Sequence, residues 1–320
     1  MKVLIILISI FLAINMGVSG FAISFTPSYG SGLIKKKTAS LLYTIFVVFG
    51  GVAFGTRVVN TLVSKLSYSY EYNSGLLILI TISLVMFLSN TLKIPQSTSF
   101  ATVGAFSGAA FYNGKLNWQV IFKIFIFAVL FSIFSFLFTN WLKRFLYPVG
   151  PKNFSLHEKI FKYNSILKKF ILYTNCYSAF AVGSNNIANV AAPVIISLGF
   201  IQGSFSVILL ILIVSILFGL GSFLLGSGSL KTISKDIIPL GEVSAGIVSV
   251  VTSNFVLLAS ILGLPTPYVQ FTTFSVLGIS SVKDGLKYTF GKSVVKKIIS
   301  VWILGPIIAF LLSFILHKIF

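Results

Sequence analysis

The sequence predicts an all-α polytopic membrane protein with about ten crossings, arranged as two inverted-topology repeats with broken or re-entrant helices. Three observations predict this fold: an extreme apolar composition, a series of apolar runs of membrane-spanning length, and a recurring pattern of Gly, Pro, Ser and Asn in the two halves. Of 320 residues, 56% are hydrophobic and only 9% charged, and 33 are Phe; the mean hydropathy is +1.01. A soluble domain carries about 25% charged residues, so this chain has too little polar surface to cover a water-facing ball. Soluble enzymes and disordered chains are excluded on that ground.

The charge balance supports the same class. There are 24 Lys and Arg against five acids, Glu71, Glu158, Asp236, Glu242 and Asp284, giving a net charge of +19. In a soluble protein that excess would suggest nucleic acid. In a membrane protein basic residues collect in cytoplasmic loops, and no nucleic-acid module accompanies them here. Cys176 is the one cysteine, which excludes an internal disulfide framework and a cysteine-based metal site. His157 and His317 are isolated, so no metal centre is expected, and neither HExxH nor GxSxG occurs. The available chemistry is hydroxyls, amides, backbone and a few charges. It suits binding and translocation rather than bond-breaking, and no enzyme is expected.

Apolar runs long enough to span hydrocarbon, about 20 residues, lie near 3–24, 38–62, 74–92, 118–146, 164–182, 204–226, 237–262 and 293–317. Lys2, the run Val3–Leu12 and the small residues 17–20 imitate a signal peptide. The segment is read instead as a first transmembrane helix, because its end recurs later in the chain. Two shorter runs, 96–112 and 267–282, follow Pro95 and Pro265 and are rich in Gly, Ser and Thr, as re-entrant or broken segments are. Counting each as one crossing, and 164–200 as one broken crossing, gives ten. With residue 1 outside, eighteen basic residues fall on the inner side and only Lys2, Lys65, Lys115 and Lys318 on the outer; Arg57 and Lys123 lie within spans. That bias follows the positive-inside rule and places both termini outside a plasma membrane.

The basic stretch 147–163 is the only polar linker of any length, and it divides the chain into a first repeat, 1–146, and a second, 164–320. The repeats align in order and spacing. Gly17 pairs with Gly183 at an offset of 166, Gly55 with Gly226 at 171, and Pro95 with Pro265 at 170. The first copy starts outside and the second inside, so an odd number of crossings per copy gives an inverted repeat. This is the architecture of secondary transporters, which place substrate at the midplane between halves.

Polar residues concentrate in two places per copy. One is an expected break in the opening helix: Asn15, Gly17 and Ser19, then Gly183, Ser184, Asn185, Asn186 and Asn189. The other is the Pro-led segment: Ser97, Thr98 and Ser99 after Pro95 and Gln96, then Thr266, Gln270, Thr272 and Thr273 after Pro265. Unwound backbone and helix N-termini ringed by hydroxyls and amides suit an oxyanion. Single Ser, Thr and Gly residues in membrane helices are more often packing residues, as Gly51–Gly55 and Gly104–Gly108 are read here. The clustered asparagines are read as functional.

GSNNIANVAAP (183–193) resembles the duplicated signature GxNDxANAxGP of the PiT family of inorganic phosphate transporters. PQSTSFATVGAFSG (95–108) resembles that family's hydroxyl segment, and VKKIISVWILGPIIAFLL (295–312) its closing stretch. The resemblance covers most of the chain. It implies inverted repeats, a homodimer, and cation-coupled uptake of phosphate, with sulfate as the substrate of some members. Asn186 stands where the family has aspartate; Ser19, Gly20 and Ile23 stand where it has Asn, Asp and Asn, and Phe100 replaces a histidine. Both signature carboxylates are therefore missing, which leaves the coupling ion, H⁺ or Na⁺, open. Glu242, the one acid read as inside a span, is the candidate proton acceptor or else an interfacial partner of Lys231 or Lys235.

The expected function is secondary active transport of inorganic phosphate by alternating access. Sulfate is the first alternative and an uncoupled anion channel the second. A membrane enzyme acting on lipid head groups is disfavoured for want of a nucleophile–base pair. Arg57 and Lys123 are expected to snorkel to the head groups.

Overall fold

The computed structural model describes residues 1–30, 33–91, 97–147, 153–155, 158, 164–224 and 240–320. Pro95, Gln96, Lys231, Lys235, His157 and most of the linker lie outside the described residues. In hydrocarbon every backbone polar group must be satisfied within the protein, and these apolar runs satisfy theirs as helices. In chain order they are α1 (Lys2–Gly30), α2 (Lys36–Lys65), α3 (Ser74–Thr91), α4 (Thr98–Tyr112), α5 (Trp118–Leu146), α6 (Asn164–Asn186), α7 (Ala188–Leu198), α8 (Phe205–Leu224), α9 (Glu242–Ile261), α10 (Tyr268–Asp284), α11 (Leu286–Gly291) and α12 (Ser293–Ile319). Among the described residues the only β pairing is an isolated bridge between Ser67 and Leu116.

Among the described residues seven spans are long and apolar enough to cross a membrane: α1, α2, α5, the α6–α7 pair, α8, α9 and α12. The shorter α3, α4 and α10 are the remaining three segments of the ten expected crossings. Two pieces of α2, Gly51–Gly55 and Thr61–Lys65, are wound as π-helix. Such bulges concentrate at functional sites, and Gly51 lies against Ile187, where α6 gives way to α7.

One expected break is absent. α1 runs unbroken through Asn15, Gly17 and Ser19. The reason is local: Asn15 Nδ2 donates to Phe11 O at 2.8 Å and Ser19 Oγ to Met16 O at 2.9 Å. Both side chains thus satisfy themselves on their own helix. Gly17 is there for contact, since a Cβ on it would fall 2.2 Å from Phe218 O. The break in the second signature does occur, but it is a single residue, Ile187. The seventh of the eight long runs also begins late, because α9 starts at Glu242 and not at 237.

Packing exchanges partners across the linker. α1 packs on α8 while α6 packs on α2, and α4 packs on α12 while α10 packs on α5. Glycines make these approaches possible. Gly17 meets Phe218 O and Gly221 meets Ile14 O at the α1–α8 crossing; Gly50 meets Phe180 O and Gly183 meets Val47 O at the α2–α6 crossing. In each case an added Cβ would fall 2.0–2.2 Å from that carbonyl oxygen. Gly104 and Gly108 do the same against Pro306 and Phe310 of α12, which confirms the packing expected of that GxxxG pair.

Candidate functional site

The α6–α7 junction is the polar centre of the bundle. Ser184, Asn185 and Asn189 are completely buried and Asn186 nearly so. Each has a different task. Asn185 Nδ2 donates to Ser260 Oγ at 2.9 Å and to Leu264 O at 3.0 Å, while its Oδ1 accepts from Thr266 N at 3.0 Å. That amide is used on both sides, so Asn185 staples the turn between α9 and α10. Ser184 Oγ supports the same contact, 3.1 Å from Ser260 Oγ. The stapled turn, 263–267, is buried non-helical backbone, which a membrane protein tolerates only inside protein or around a cavity.

Asn189 reaches the other way. Its Nδ2 donates to Thr98 Oγ1 at 3.4 Å and Ser99 Oγ at 3.2 Å, in the first turn of α4. Ser97 is the N-cap of that helix, accepting from Phe100 N at 3.3 Å. A hydroxyl that accepts a hydrogen bond turns its own proton elsewhere, so Asn189 leaves the Thr98 and Ser99 protons available as donors. Asn186 Oδ1, Asn189 Oδ1 and Thr266 Oγ1 are buried without a partner. Leaving such groups unsatisfied costs about 1–3 kcal/mol each, and a functional site is one place where this persists.

The start of α7, through Asn189, thus meets the start of α4, while the turn into α10 is held to the end of α6 by Asn185. Helix N-termini carry partial positive charge. The α7 terminus directly follows the C-terminus of α6, so its field is largely cancelled, and α4 and α10 supply the net positive ends. Among the described residues no carboxylate joins them. Glu71 is in the loop before α3, and Asp284 ends α10 in an ion pair with Lys292 at 3.0 Å. Glu242 is the first residue of α9, half-buried, and about 27 Å along that helix from Ser260 at 1.5 Å per residue. The residue expected inside a span therefore sits at a helix start, where negative charge complements the dipole.

The other expected residues are distributed as follows. Gly183 provides the close approach to Val47. Asn15, Gly17 and Ser19 stay on α1, hydrogen-bonded or packed as described above. Thr272 and Thr273 spend their hydroxyls on Tyr268 O and Val269 O, at 3.0 and 2.8 Å, within α10. Arg57 is exposed, and its Nη1 donates to Ile261 O at 3.0 Å, capping α9 just before the stapled turn. The sequence reading missed Ser260, the Leu264 carbonyl and Tyr268, whose buried hydroxyl contacts Ser178 at 2.5 Å and Ser253 at 3.3 Å. A signal for Tyr268 was present, since the offset of 170 pairs it with Thr98. A separate apolar cavity of about 540 Å³ between α4, α5, α10 and α12 has Phe100, Gln270 and Trp302 among its walls. Its lining is apolar apart from Ser107, Ser132, Gln270 and the indoles, and both serine hydroxyls are spent on carbonyls of their own helices, so it offers an anion few donors.

A helical membrane bundle with a buried, uncharged cage of amides and hydroxyls beside two helix N-termini has the architecture of a transporter. Residues 16–313 match the Phosphate transporter family, and the chain belongs to that family. It is 32% identical to the sulfate permease CysP of Bacillus subtilis, over 100% of this chain and 88% of that protein. It is 28% identical to a Methanocaldococcus jannaschii permease whose name assigns it phosphate provisionally, over 98% and 96% of the two chains. A solved structure described as the sodium-dependent phosphate transporter superposes with a TM-score of 0.80 over 100% of both chains, at 22% identity, and shares the fold.

Proposed function

We propose that the protein is a secondary transporter in the cell membrane that takes up a tetrahedral oxyanion, with sulfate as its substrate. The observation that carries this reading is the pairing of Asn189 with Thr98 and Ser99 in a buried site where no described carboxylate stands. Sulfate at neutral pH carries no proton, so it asks for donors alone, and this cage offers hydroxyl protons and helix termini. The 32% identity with a protein named a sulfate permease supports the same choice over the phosphate favoured by the motifs. Phosphate is the second reading, favoured by one observation: Asn186 Oδ1 and Asn189 Oδ1 are free acceptors that a P–OH group could use.

In this reading residues 1–146 and 164–320 are inverted repeats, and the exchanged helix partners let one rock on the other while the anion stays at the junction. Uptake is cation-coupled, the protein is a homodimer, and both termini face outward. The test is uptake of labelled sulfate and phosphate into liposomes, with Na⁺ and proton gradients imposed separately. Concentrative sulfate uptake under one gradient is the expected result and names the coupling ion. Phosphate accumulation with sulfate excluded would shift the substrate to the second reading, and flux that never exceeds equilibrium would replace the transporter by a channel.

A further inference from the structure

The hydrogen bonds described at the junction come from α4, α6, α7, the end of α9 and the turn before α10. The 166-residue offset that pairs Gly17 with Gly183 pairs Gly20 with Asn186. Where the second half holds an unpartnered amide oxygen, the first half therefore holds a glycine. That glycine's missing side chain is replaced from another helix. A Cβ on Gly20 would fall 2.4 Å from the hydroxyl oxygen of Tyr43 on α2 and 2.9 Å from Val182 Cγ1, one residue before Gly183. Tyr43 is completely buried, and its Oη has no hydrogen-bond partner. Its ring is held edge-on by Phe21 and Phe25 of α1, at centroid distances of 5.5 and 6.3 Å.

We propose that the Tyr43 hydroxyl is a specificity-determining donor to the transported oxyanion, the first half's counterpart of Asn186. This rests on the reading of the protein as an oxyanion transporter. A phenolic O–H is a stronger donor than the Ser and Thr hydroxyls around it, and it presents one proton to an anion that carries none. The aromatic clamp fixes its direction, so little side-chain freedom is lost when it binds. An orphan hydroxyl kept in the dry interior is otherwise a cost that Phe at the same position would avoid.

The experiment measures sulfate uptake and thermal melting for wild type, Tyr43→Phe, Gly20→Ala and the double variant in the same liposome preparation. Tyr43→Phe is expected to raise KM about tenfold with maximal rate little changed, as loss of one charge-assisted hydrogen bond does. It is expected to melt at or above the wild-type temperature, because no hydrogen bond within the protein is removed. Gly20→Ala pushes Oη aside and is expected to raise KM similarly, yet to add little on top of Tyr43→Phe. A Tyr43→Phe protein with wild-type KM overturns the proposal while wild-type uptake upholds the transporter reading. A Tyr43→Phe protein that melts below wild type also overturns it, because the hydroxyl would then be structural. Wild-type protein that moves neither sulfate nor phosphate sinks both readings together.

Discussion

The two signature stretches, 15–23 in α1 and 183–189 in α6 and α7, align at an offset of 166 residues yet have opposite characters. In the second, Asn185 and Asn189 reach out to two other helix ends, and Ile187 interrupts the helix between them. In the first, Asn15 and Ser19 bond back to their own helix, and Gly20 and Ile23 stand where the polar side chains would be. What survives in both is the glycine, Gly17 and Gly183, each pressed on a carbonyl of the opposite half. Helix crossing is thus alike in both stretches, whereas only the second reaches across to other helix ends with its amides.

That asymmetry can be broken from the strong side first. Asn189→Ala is expected to lower subsaturating sulfate uptake about a hundredfold, since it removes two amide hydrogen bonds and the orientation of both hydroxyls. Uptake with a folded-protein control checks it, and near-normal uptake would move the site elsewhere. Asn185→Ala acts on the fold: it strands Thr266 N and the Leu264 carbonyl in a buried turn, with an expected loss of about 3 kcal/mol. Chemical denaturation in detergent measures it. Gly17→Ala and Gly183→Ala test what the two stretches share. Each is expected to cost about 1–3 kcal/mol by overpacking, and the two losses are expected to be alike if the crossings are equivalent. Ser19→Ala gives the smallest effect, a change of uptake within about twofold. A large loss there would show that α1 contributes more than packing.

Much of the fold could be read from hydrophobic runs, and Ser97 could be read as an N-cap because it precedes a Ser/Thr-rich first turn after a proline. The site was only partly legible, for reasons that differ by residue. Glycine at 17 has the same signature whether it hinges a helix or admits a neighbour, and only the position of Phe218 decides between them. Thr272 and Thr273 look like ligands because hydroxyls in apolar sequence are conspicuous, yet a helix can absorb them at its own carbonyls. Glu242 seemed internal because the five apolar-looking residues before it extended the run, while the helix begins only at Glu242 itself. Ser260 and Leu264 carry no pattern at all. Their role depends on a turn folded back beneath Asn185, across 75 and 79 residues of sequence.

The exchanged glycine crossings also bear on how the protein is made. α1 and α4 leave the ribosome long before α8 and α12, the helices that cover Gly17, Gly104 and Gly108. Through synthesis of the linker the early helices can be inserted but not closed, and their small-residue faces stay against lipid until the late helices arrive. Assembly is therefore a terminal event of translation. A chain truncated after residue 163 would leave the glycine faces of α1 and α4 without the helices that cover them.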